Sequence, residues 1–400
     1  MNLITFPNNW FDLVESSIIK QYELLKVKGD IDNSVLAGFI LMNSEDNSLS
    51  VISLATGTKL MSGDQRQKTA KIGPALIHDC HAEILSHRGL QAWIWKNLNN
   101  NEIFERNDNK FKLLPHLSIH FYSSDPPCGD CCVHTNIQNY AIQKCEPSQQ
   151  DIEESDQIDP NETNPILVTV QTGAKPFGWD QSQLFTSPPN IVRGKPGRGS
   201  RSQSVSCSDK ICLWINVGLQ GSLLSPFLPD FQLSSIVIGN GNLETLHRAL
   251  IERVSPIHQD ESSEVQIEPK LGDDIENETL KIFAGKPNWE QKNMSPSASS
   301  FVWWSGSPKG GEQIAAKFGR KLGVTEKKQE DPRMFCEICD AFMLRNYCKF
   351  SGIPKISFGE AKKRCGEYTE RKNKIKSILE SYGGQWATKF PEEKEWVYSD

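Results

Sequence analysis

The feature that most restricts the fold is a pair of short motifs that must meet in space. Residues 79–83 read DCHAE and precede an apolar helical pattern, ILSHRGLQAWIWKNL. Residues 126–132 read PPCGDCC and follow the segment HLSIHFYSS, a predicted strand. The histidine, glutamate and cysteine side chains cluster only if the start of a helix lies beside the end of a strand. We therefore expect an α/β fold built around that junction.

The two motifs also indicate a metal site. His81 and Cys128 are of residue types that commonly bind zinc. Glu83, two residues after His81, could transfer protons if it does not bind the metal itself. His-x-Glu ahead of Pro-Cys-x-x-Cys is typical of zinc nucleobase deaminases, and on spacing alone the third ligand would be Cys131. A single His-x-Glu is more often a core histidine and a capping glutamate, but its combination with PPCGDC favours the metal site.

Cysteine usage bears on the redox environment. The chain has 11 irregularly spaced cysteines, and no secretion signal or long apolar span precedes them, which favours metal ligands or free thiols over disulfides. The C-x-x-C pair Cys336 and Cys339 has no second ligand pair nearby, and we interpret both as buried structural thiols. We expect an intracellular protein, in the cytoplasm, the nucleus or both, with no membrane association.

Charge is unevenly distributed along the chain. The net charge is −6, yet residues 151–162 carry six acids and no base. Residues 193–210 carry five Lys or Arg against one Asp, and residues 355–376 carry eight against three Glu. We interpret the acidic segments near 146–163 and 259–278 as solvated insertions and the two basic segments as anion-binding surfaces. A solvated basic helix face is the simpler alternative for residues 355–376.

The remaining pattern alternates helices with strands. It predicts a helix over 8–28, a hairpin from SVLAGFILM and LSVISLATG, and strands at ILVTVQTG, LSSIVIG and FVWWS. It also predicts helices over VHTNIQNYAIQK, KICLWINVGLQGSLLSPFL and NLETLHRALIERV, and near 333–350 and 358–381. In this pattern Cys128 starts a helix, where the positive helix end would favour a thiolate.

Over nearly its whole length the chain resembles the adenosine deaminases acting on RNA, and more closely their branch acting on tRNA. The resemblance rests on GTK at 57–59, DCHAEILSHR at 79–88, PPCGDC at 126–131, SCSDKICLW at 206–214 and VGLQGSLLS at 217–225. It implies a single deaminase domain over residues 1–400, with a cytidine-deaminase-like three-layer core, a mixed sheet and a helical C-terminal half. It also implies that the third zinc ligand is a distant cysteine, so that Zn²⁺ is held by His81, Cys128 and Cys207.

The same resemblance implies a structural inositol hexakisphosphate enclosed by the C-terminal half. Its shell would consist of basic and aromatic side chains at the matching positions, which are Arg88, Lys210, Trp214, Lys362, Tyr368, Lys372, Trp386 and Lys389. His87 and Leu213 stand where other members have arginines, and Thr388 where an acid is common. Buried cations of this kind require a counter-charge. Lys210, three residues after Cys207, could link the polyanion to the zinc site.

RNA contacts are expected in two places. Thr58 and Lys59 match the family's contacts to the target ribose and its phosphate. The glycine-rich basic loop at 191–201 is suited to phosphate contacts, although a surface loop with incidental arginines is the alternative. The substrate-binding candidates there are Arg193, Lys195 and Arg198. Arg198 stands where the branch that edits duplex RNA carries an acid, and with TGAK at 172–175 it favours the tRNA branch.

The resemblance thus predicts a hydrolase that converts adenosine to inosine in tRNA and releases ammonia. The target would be the adenosine 3′ of the anticodon (position 37) of tRNA-Ala, and no obligate protein partner is evident. An editor of duplex mRNA is one alternative, disfavoured by Arg198 and by the lack of a double-stranded-RNA module ahead of the motifs. A small-molecule nucleoside deaminase would not need two basic segments. A catalytically silent zinc-containing RNA-binding protein would need four protein ligands and no Glu83.

Overall fold

The computed structural model describes residues 6–27, 34–133, 174–176, 189–196, 200, 202–254, 280–289, 297–307 and 310–397. Four predicted features lie outside these ranges. They are the helix over VHTNIQNYAIQK beyond its first residue, the strand ILVTVQTG and both acidic insertions.

A mixed eight-stranded sheet forms the centre of the molecule. Its strands, in order across the sheet, are β11 (Lys281–Gly285), β10 (Ser235–Gly239), β7 (Leu117–Ser123), β1 (Leu36–Asn43), β2 (Ser48–Thr56), β12 (Ser299–Trp304), β13 (Glu312–Ala315) and β14 (Arg320–Lys321). β10 runs parallel to β7 and β11, and the other neighbours are antiparallel. The mixed α/β class is confirmed, as are the hairpin β1–β2 and the strands LSSIVIG and FVWWS.

Helices cover both faces of this sheet. Helix α1 (Trp10–Leu24) packs on the face formed by Leu36, Ile40 and Leu54, whereas α3 (Ala82–Asn97) packs on the face that carries Phe39. Because side chains alternate along a strand, β1 serves both cores and is buried along most of its length. The result is three layers, with α1 on one side and α3 on the other.

The remaining elements surround the α3 side. Three small antiparallel pairs are formed by β3 (Thr58–Leu60) with β4 (Asp79–His81), β5 (Phe104–Asn107) with β6 (Lys110–Leu113), and β8 (Lys175–Pro176) with β9 (Arg193–Gly194). The other helices are α2 (Gly63–Lys68), α4 (Cys207–Val217), α5 (Gly221–Leu224), α6 (Leu243–Leu250), α7 (Asp340–Ser351), α8 (Phe358–Lys363), α9 (Gly366–Ser381) and α10 (Pro391–Glu395). Helices α4 and α9 pack together around Cys212 and Ile375.

Several predicted helices differ from those observed. The single helix expected over KICLWINVGLQGSLLSPFL is divided into α4 and α5, because Gly218 and Gly221 adopt φ values of +90° and +70° that no helix continues through. The helix expected over 358–381 is likewise divided into α8 and α9. The C-terminal half is not helical throughout, since β10 to β14 all follow residue 234.

Candidate active site

His81 lies where a strand turns into a helix. It is the last residue of β4 and the N-cap of α3, with φ −65° and ψ 143°. β3 pairs with β4 so that Thr58 faces His81. The preceding Gly57 has φ +152°, and a Cβ there would lie 2.2 Å from the Cys80 carbonyl oxygen. Glycine at this position therefore lets β3 approach the start of α3 closely.

Cys128 reaches the site from the end of β7 through a turn that only glycine allows. Gly129 has φ +107°, and a Cβ there would lie 2.2 Å from Ser206 Oγ. The Ser208 amide donates to the Cys128 carbonyl at 3.0 Å, and the Ser208 hydroxyl accepts from the Cys131 amide at 3.0 Å. The turn is thereby bonded to the start of α4. The predicted helix beginning at Cys128 is not observed in the described part of the turn, where only a short 3₁₀ segment, Asp130–Cys132, follows.

Cys207 is the first residue of α4. Its neighbour Ser206 caps that helix by accepting from the Asp209 amide, and the Cys207 amide donates to Cys128 Sγ at 3.4 Å. The two helix starts that converge on the site are therefore those of α3 and α4, rather than one following Cys128.

The three predicted ligand atoms converge. His81 Nδ1 lies 3.8 Å from Cys128 Sγ and 3.7 Å from Cys207 Sγ. Tetrahedral zinc with one nitrogen and two sulfur ligands needs donor atoms about 3.5–4 Å apart, so this donor set fits the ion. Within the described part of the chain this is the one group of three or more His, Cys, Asp or Glu side chains close enough to share a metal. A hydrogen bond from the Cys207 thiol, against the cost of burial, lowers the pKa of Cys128.

Glu83 lies in the first turn of α3, beside this group. Its side chain is buried, and Oε2 has no hydrogen-bond partner among the described residues. Burial raises the pKa of Glu83, while the neighbouring His81 opposes that rise. A buried carboxylate oxygen without a protein partner is costly, so this atom fits a site shaped to hold a further ligand.

A series of polar contacts connects Cys207 to Lys210 through Lys195 and Asp79, and all of these side chains except that of Lys210 are buried. Lys195 Nζ lies 3.0 Å from Cys207 Sγ and 3.0 and 2.8 Å from the two Asp79 oxygens. Lys210 Nζ lies 2.5 Å from Asp79 Oδ2. Burial opposes ionisation of Asp79, but Lys195 and then Lys210 hold its pKa well below the usual range. Lys210 is therefore connected to the candidate ligand Cys207 through Asp79 and Lys195, whereas its link to a polyanion stays a prediction. The sequence pattern had assigned no role to Asp79, although it lies in DCHAE.

The burial of Arg193 and Lys195 does not fit the expectation that they contact RNA phosphates. Lys195 is 2% exposed and Arg193 is 3% exposed. The Arg193 amide donates to Asp209 Oδ2 at 3.0 Å, and its guanidinium lies 3.9 Å from Asp130. The composition of the loop predicted an exposed position. Arg193 and Lys195 are instead buried beside Asp130 and Asp79, respectively, on neighbouring segments.

Of the other three RNA-contact candidates, two lie in the described part of the chain. Thr58 and Lys59 are half-buried on β3, opposite His81 and Cys80. They therefore lie beside the predicted metal site. Arg198 falls in the stretch 197–199, outside the described residues.

A cluster of partly buried cations lies around α8, α9 and the C-terminal segment. Asp340 accepts from Arg88 at 2.9 Å and from Lys389 at 2.7 Å. Burial, Lys376 and Lys389 lower the pKa of Lys372 to about 7. Burial and Lys389 also lower the pKa of Lys362 well below its usual value. In both cases burial is the larger cause, and repulsion from neighbouring lysines adds to it while Asp340 opposes it.

Aromatic side chains line the same region. Trp214 stacks on His87 at 3.9 Å, with an angle of 12° between the rings. Lys376 lies 4.9 Å from the Trp386 ring centroid, and Tyr368 is buried. Asp340 and Lys376 belong to this cluster but were not predicted, because neither lies in a motif. Trp214, Tyr368 and Trp386 also lie here, and their assignment to a ligand shell stays a prediction.

Three other motif cysteines, Cys131, Cys336 and Cys339, have structural surroundings. Burial raises the pKa of the Cys131 thiol to about 12, and Cys131 is not part of the ligand group. Cys339 caps α7 by accepting from the Phe342 amide, and burial raises its pKa to about 12. Neither Cys336 nor Cys339 belongs to a metal-ligand group within the described residues.

The site combines one histidine, two cysteines and a nearby carboxylate where two helix starts converge. This arrangement is typical of metal-dependent deaminases. The family model of the adenosine-deaminase (editase) domain matches residues 53–390. The chain belongs to this family of adenosine deaminases, as its motifs predicted. Among the described residues, no helix is long and apolar enough to cross a membrane.

Curated relatives with sequence similarity include proteins named for two kinds of RNA. The tRNA-specific adenosine deaminase 1 of Drosophila melanogaster is 27% identical over 310 residues, which cover 74% of this chain and 70% of the fly protein. The mouse protein of the same name is 24% identical over 424 residues, covering 83% of this chain and 84% of the mouse protein. The mouse double-stranded RNA-specific adenosine deaminase is 26% identical over 385 residues, covering 91% of this chain but only 30% of that protein.

Proposed function

We propose that this chain, as one deaminase domain, converts adenosine to inosine in tRNA by zinc-assisted hydrolysis. The target is the adenosine 3′ of the anticodon (position 37) of tRNA-Ala, in the cytoplasm, the nucleus or both. The observation that carries the proposal is a carboxylate oxygen of Glu83 that has no hydrogen-bond partner in the described part of the chain. It lies beside three convergent candidate ligands, His81, Cys128 and Cys207. Three protein ligands leave a fourth coordination position open for water, as catalytic zinc sites require.

The chain's own residues account for the proton transfers. Zinc held here would supply a water molecule of lowered pKa as the nucleophile. Glu83 would accept one proton from that water and deliver it to the purine ring nitrogen, and would then carry the proton of the hydroxyl added at C6 to the departing amine. Oxygen is added at the adenine C6, the C6–N bond breaks, and ammonia leaves. Lys195, close to Cys207, offsets negative charge on the thiolate ligands.

Two observations support tRNA as the substrate. Relatives named as tRNA-specific deaminases in fly and mouse match most of their own length. Arg198 and TGAK at 172–175 resemble the tRNA branch in sequence. Thr58 and Lys59, beside the proposed metal site, are proposed to contact the target ribose and its phosphate.

A comparison of three substrates tests this choice. Purified protein is incubated with a tRNA-Ala transcript, a long RNA duplex and free adenosine, and inosine is measured in each. We expect conversion of the transcript alone, and none of a transcript with guanosine in place of the target adenosine. Editing of the duplex in preference to the transcript would identify an mRNA editor, and conversion of free adenosine would identify a nucleoside deaminase.

We also propose that the cation cluster encloses one inositol hexakisphosphate. Arg88, Lys210, Lys362, Lys372 and Lys389, with Trp214, Tyr368 and Trp386, form its proposed shell. Support comes from the grouping of these partly buried cations: Lys362 and Lys389 lie over the same Phe358 ring at 4.2 and 4.7 Å, and burial together with mutual repulsion lowers the pKa of Lys362 and Lys372. An anion bound among them would relieve that repulsion. We expect acid denaturation of purified protein to release one such molecule per chain, measured by mass spectrometry.

Lys372→Met should reduce the increase in Tm that the polyanion produces. Without the anion, the folded-state pKa of Lys372 is about 7, below the unfolded value of 10.5. The unfolded chain then binds more protons between those values, so the contribution of Lys372 to stability rises with pH from 7 toward 10.5. We expect Lys372→Met, refolded without the polyanion, to melt roughly 3 °C higher than wild type at pH 7.

Melting curves with and without inositol hexakisphosphate at pH 7 and 9 test this. Added polyanion should raise the Tm of wild type more than that of Lys372→Met, and the difference between the two ligand-free proteins should shrink at pH 9. Lys374→Met, on the same helix, is the matched control. Equal responses of all three proteins to the polyanion would contradict the assignment of Lys372.

A further inference from the structure

A buried ion pair joins two segments that are far apart in sequence. Arg66 in α2 is 6% exposed and Glu393 in α10 is 1% exposed. Arg66 Nε and Nη2 donate to the two carboxylate oxygens at 2.8 and 2.9 Å. Gly73 makes room for this carboxylate, since a Cβ there would lie 2.7 Å from Glu393 Cγ. The mechanism above uses neither member of the pair.

The third donor of Arg66 binds the main chain of the loop that carries Lys195. Arg66 Nη1 donates to the Gln203 carbonyl oxygen at 3.0 Å. On either side of Gln203, the Ser202 hydroxyl donates to the Lys195 carbonyl at 2.7 Å, and the Lys195 amide donates to the Ser204 carbonyl at 2.8 Å. The carbonyl that Arg66 holds thus lies between the two serines that fix the Lys195 backbone.

Lys195 in turn is the cation beside the proposed metal ligand Cys207, 3.0 Å away. We propose that Arg66, anchored by Glu393, is a positioning residue that holds Lys195 against Cys207 through residues 202–204. This inference rests on the proposed function, since it assigns Arg66 a part in that reaction. A bidentate pair suits the task because its two parallel bonds fix the guanidinium in one orientation, leaving Nη1 directed at Gln203.

Kinetics of the zinc-loaded protein give the first test. Arg66→Ala should lower kcat on the order of tenfold while KM for tRNA changes less than about twofold, because Lys195 acts at the metal. Arg66→Lys, which can bond Glu393 or Gln203 but not both as before, should lie between wild type and Arg66→Ala. In a Lys195→Met background, Arg66→Ala should cost less than about twofold. The same tenfold loss in both backgrounds would overturn the proposal.

Two readouts do not depend on editing. In Arg66→Ala, amide exchange at Lys195 should rise at least about tenfold, while the Gly218 amide at the end of α4 is unchanged. In cobalt-substituted protein, the thiolate-to-metal absorption band should shift relative to wild type. Glu393→Gln, which keeps the side-chain shape, should produce both changes as well. It replaces Arg66→Ala in these measurements if Arg66→Ala does not fold. Unchanged exchange and an unshifted band in a folded variant would overturn the proposal.

Glu15→Gln is the matched control for general destabilisation. Glu15 is another fully buried carboxylate, which accepts from the Tyr122 hydroxyl at 2.8 Å on the opposite face of the sheet. Its substitution should leave Lys195 exchange and the cobalt band unchanged. If wild type edits no RNA but Arg66→Ala still shifts exchange and the cobalt band, the proposed function fails and the positioning role stands. If wild type edits and neither readout moves, the positioning role alone fails.

Discussion

Glu83→Gln should retain zinc at the wild-type level and form inosine about a thousandfold more slowly, or not at all. The amide keeps the size of the side chain but cannot accept the proton of the attacking water. Because Glu83 is buried and does not belong to the ligand group, the three ligands should stay in place. Metal content and single-turnover inosine formation are measured on the same preparation.

Two outcomes would contradict the role assigned to Glu83. If Glu83→Gln lost zinc, the glutamate would be a ligand or a support of the ligands rather than the proton carrier. If the variant edited at a rate close to wild type, another group would have to move the protons. Glu15→Gln serves as control, because it also neutralises a buried carboxylate but lies away from the site.

Cys207→Ala should lose both zinc and activity, whereas Cys131→Ala should retain both. Removing one of three protein ligands weakens zinc binding strongly, and His81, Cys128 and Cys207 are the one such ligand group among the described residues. The Cys131 thiol is buried with a raised pKa, and its backbone rather than its sulfur supports the turn. The two substitutions remove the same side chain, so they form a matched pair.

Zinc per chain, determined after extensive dialysis, decides between the two cysteines. The reverse result, with zinc lost in Cys131→Ala and kept in Cys207→Ala, would mean that the local C-x-x-C spacing supplies the ligands. Loss in both variants would indicate that the turn collapses when either thiol is removed. Only retention in Cys131→Ala with loss in Cys207→Ala agrees with the ligand set proposed here.

The residues of the proposed metal site differ in how far the sequence alone could predict them. His81, Glu83 and Cys128 lie in local motifs whose residue types and spacing already indicate zinc chemistry. Cys207 has no such local signal, since it is 79 residues from Cys128 and was assigned only through the family resemblance. The structure supplies the physical reason, because Gly129 lets the PPCGDC turn approach the start of α4.

The basic loop illustrates what composition cannot predict. Glycines and arginines between residues 191 and 201 indicated an exposed phosphate-binding loop, yet Lys195 is buried between Asp79 and Cys207. A charge run specifies neither burial nor partner, and Asp79 lies 116 residues away from Lys195. The same limitation applies to Arg66 and Glu393, which are 327 residues apart and meet only in the folded chain.

The helix predicted over residues 210–228 was wrong in its limits for a more local reason. The apolar pattern from Lys210 to Leu228 continues across Gly218 and Gly221, so periodicity predicted one helix. Both glycines adopt positive φ values, and the chain turns between α4 and α5. The turn brings the Leu219 carbonyl to His87 at 2.8 Å and so fixes the ring that stacks on Trp214.

The most direct test is to measure inosine in a tRNA-Ala transcript after incubation with the zinc-loaded protein. The RNA is digested to nucleosides for quantification and sequenced to locate the change. We predict one inosine per transcript, at the adenosine 3′ of the anticodon, with one ammonia released for each. An unchanged transcript, or inosine spread over many adenosines, would contradict the proposal that this site deaminates that nucleotide of tRNA-Ala.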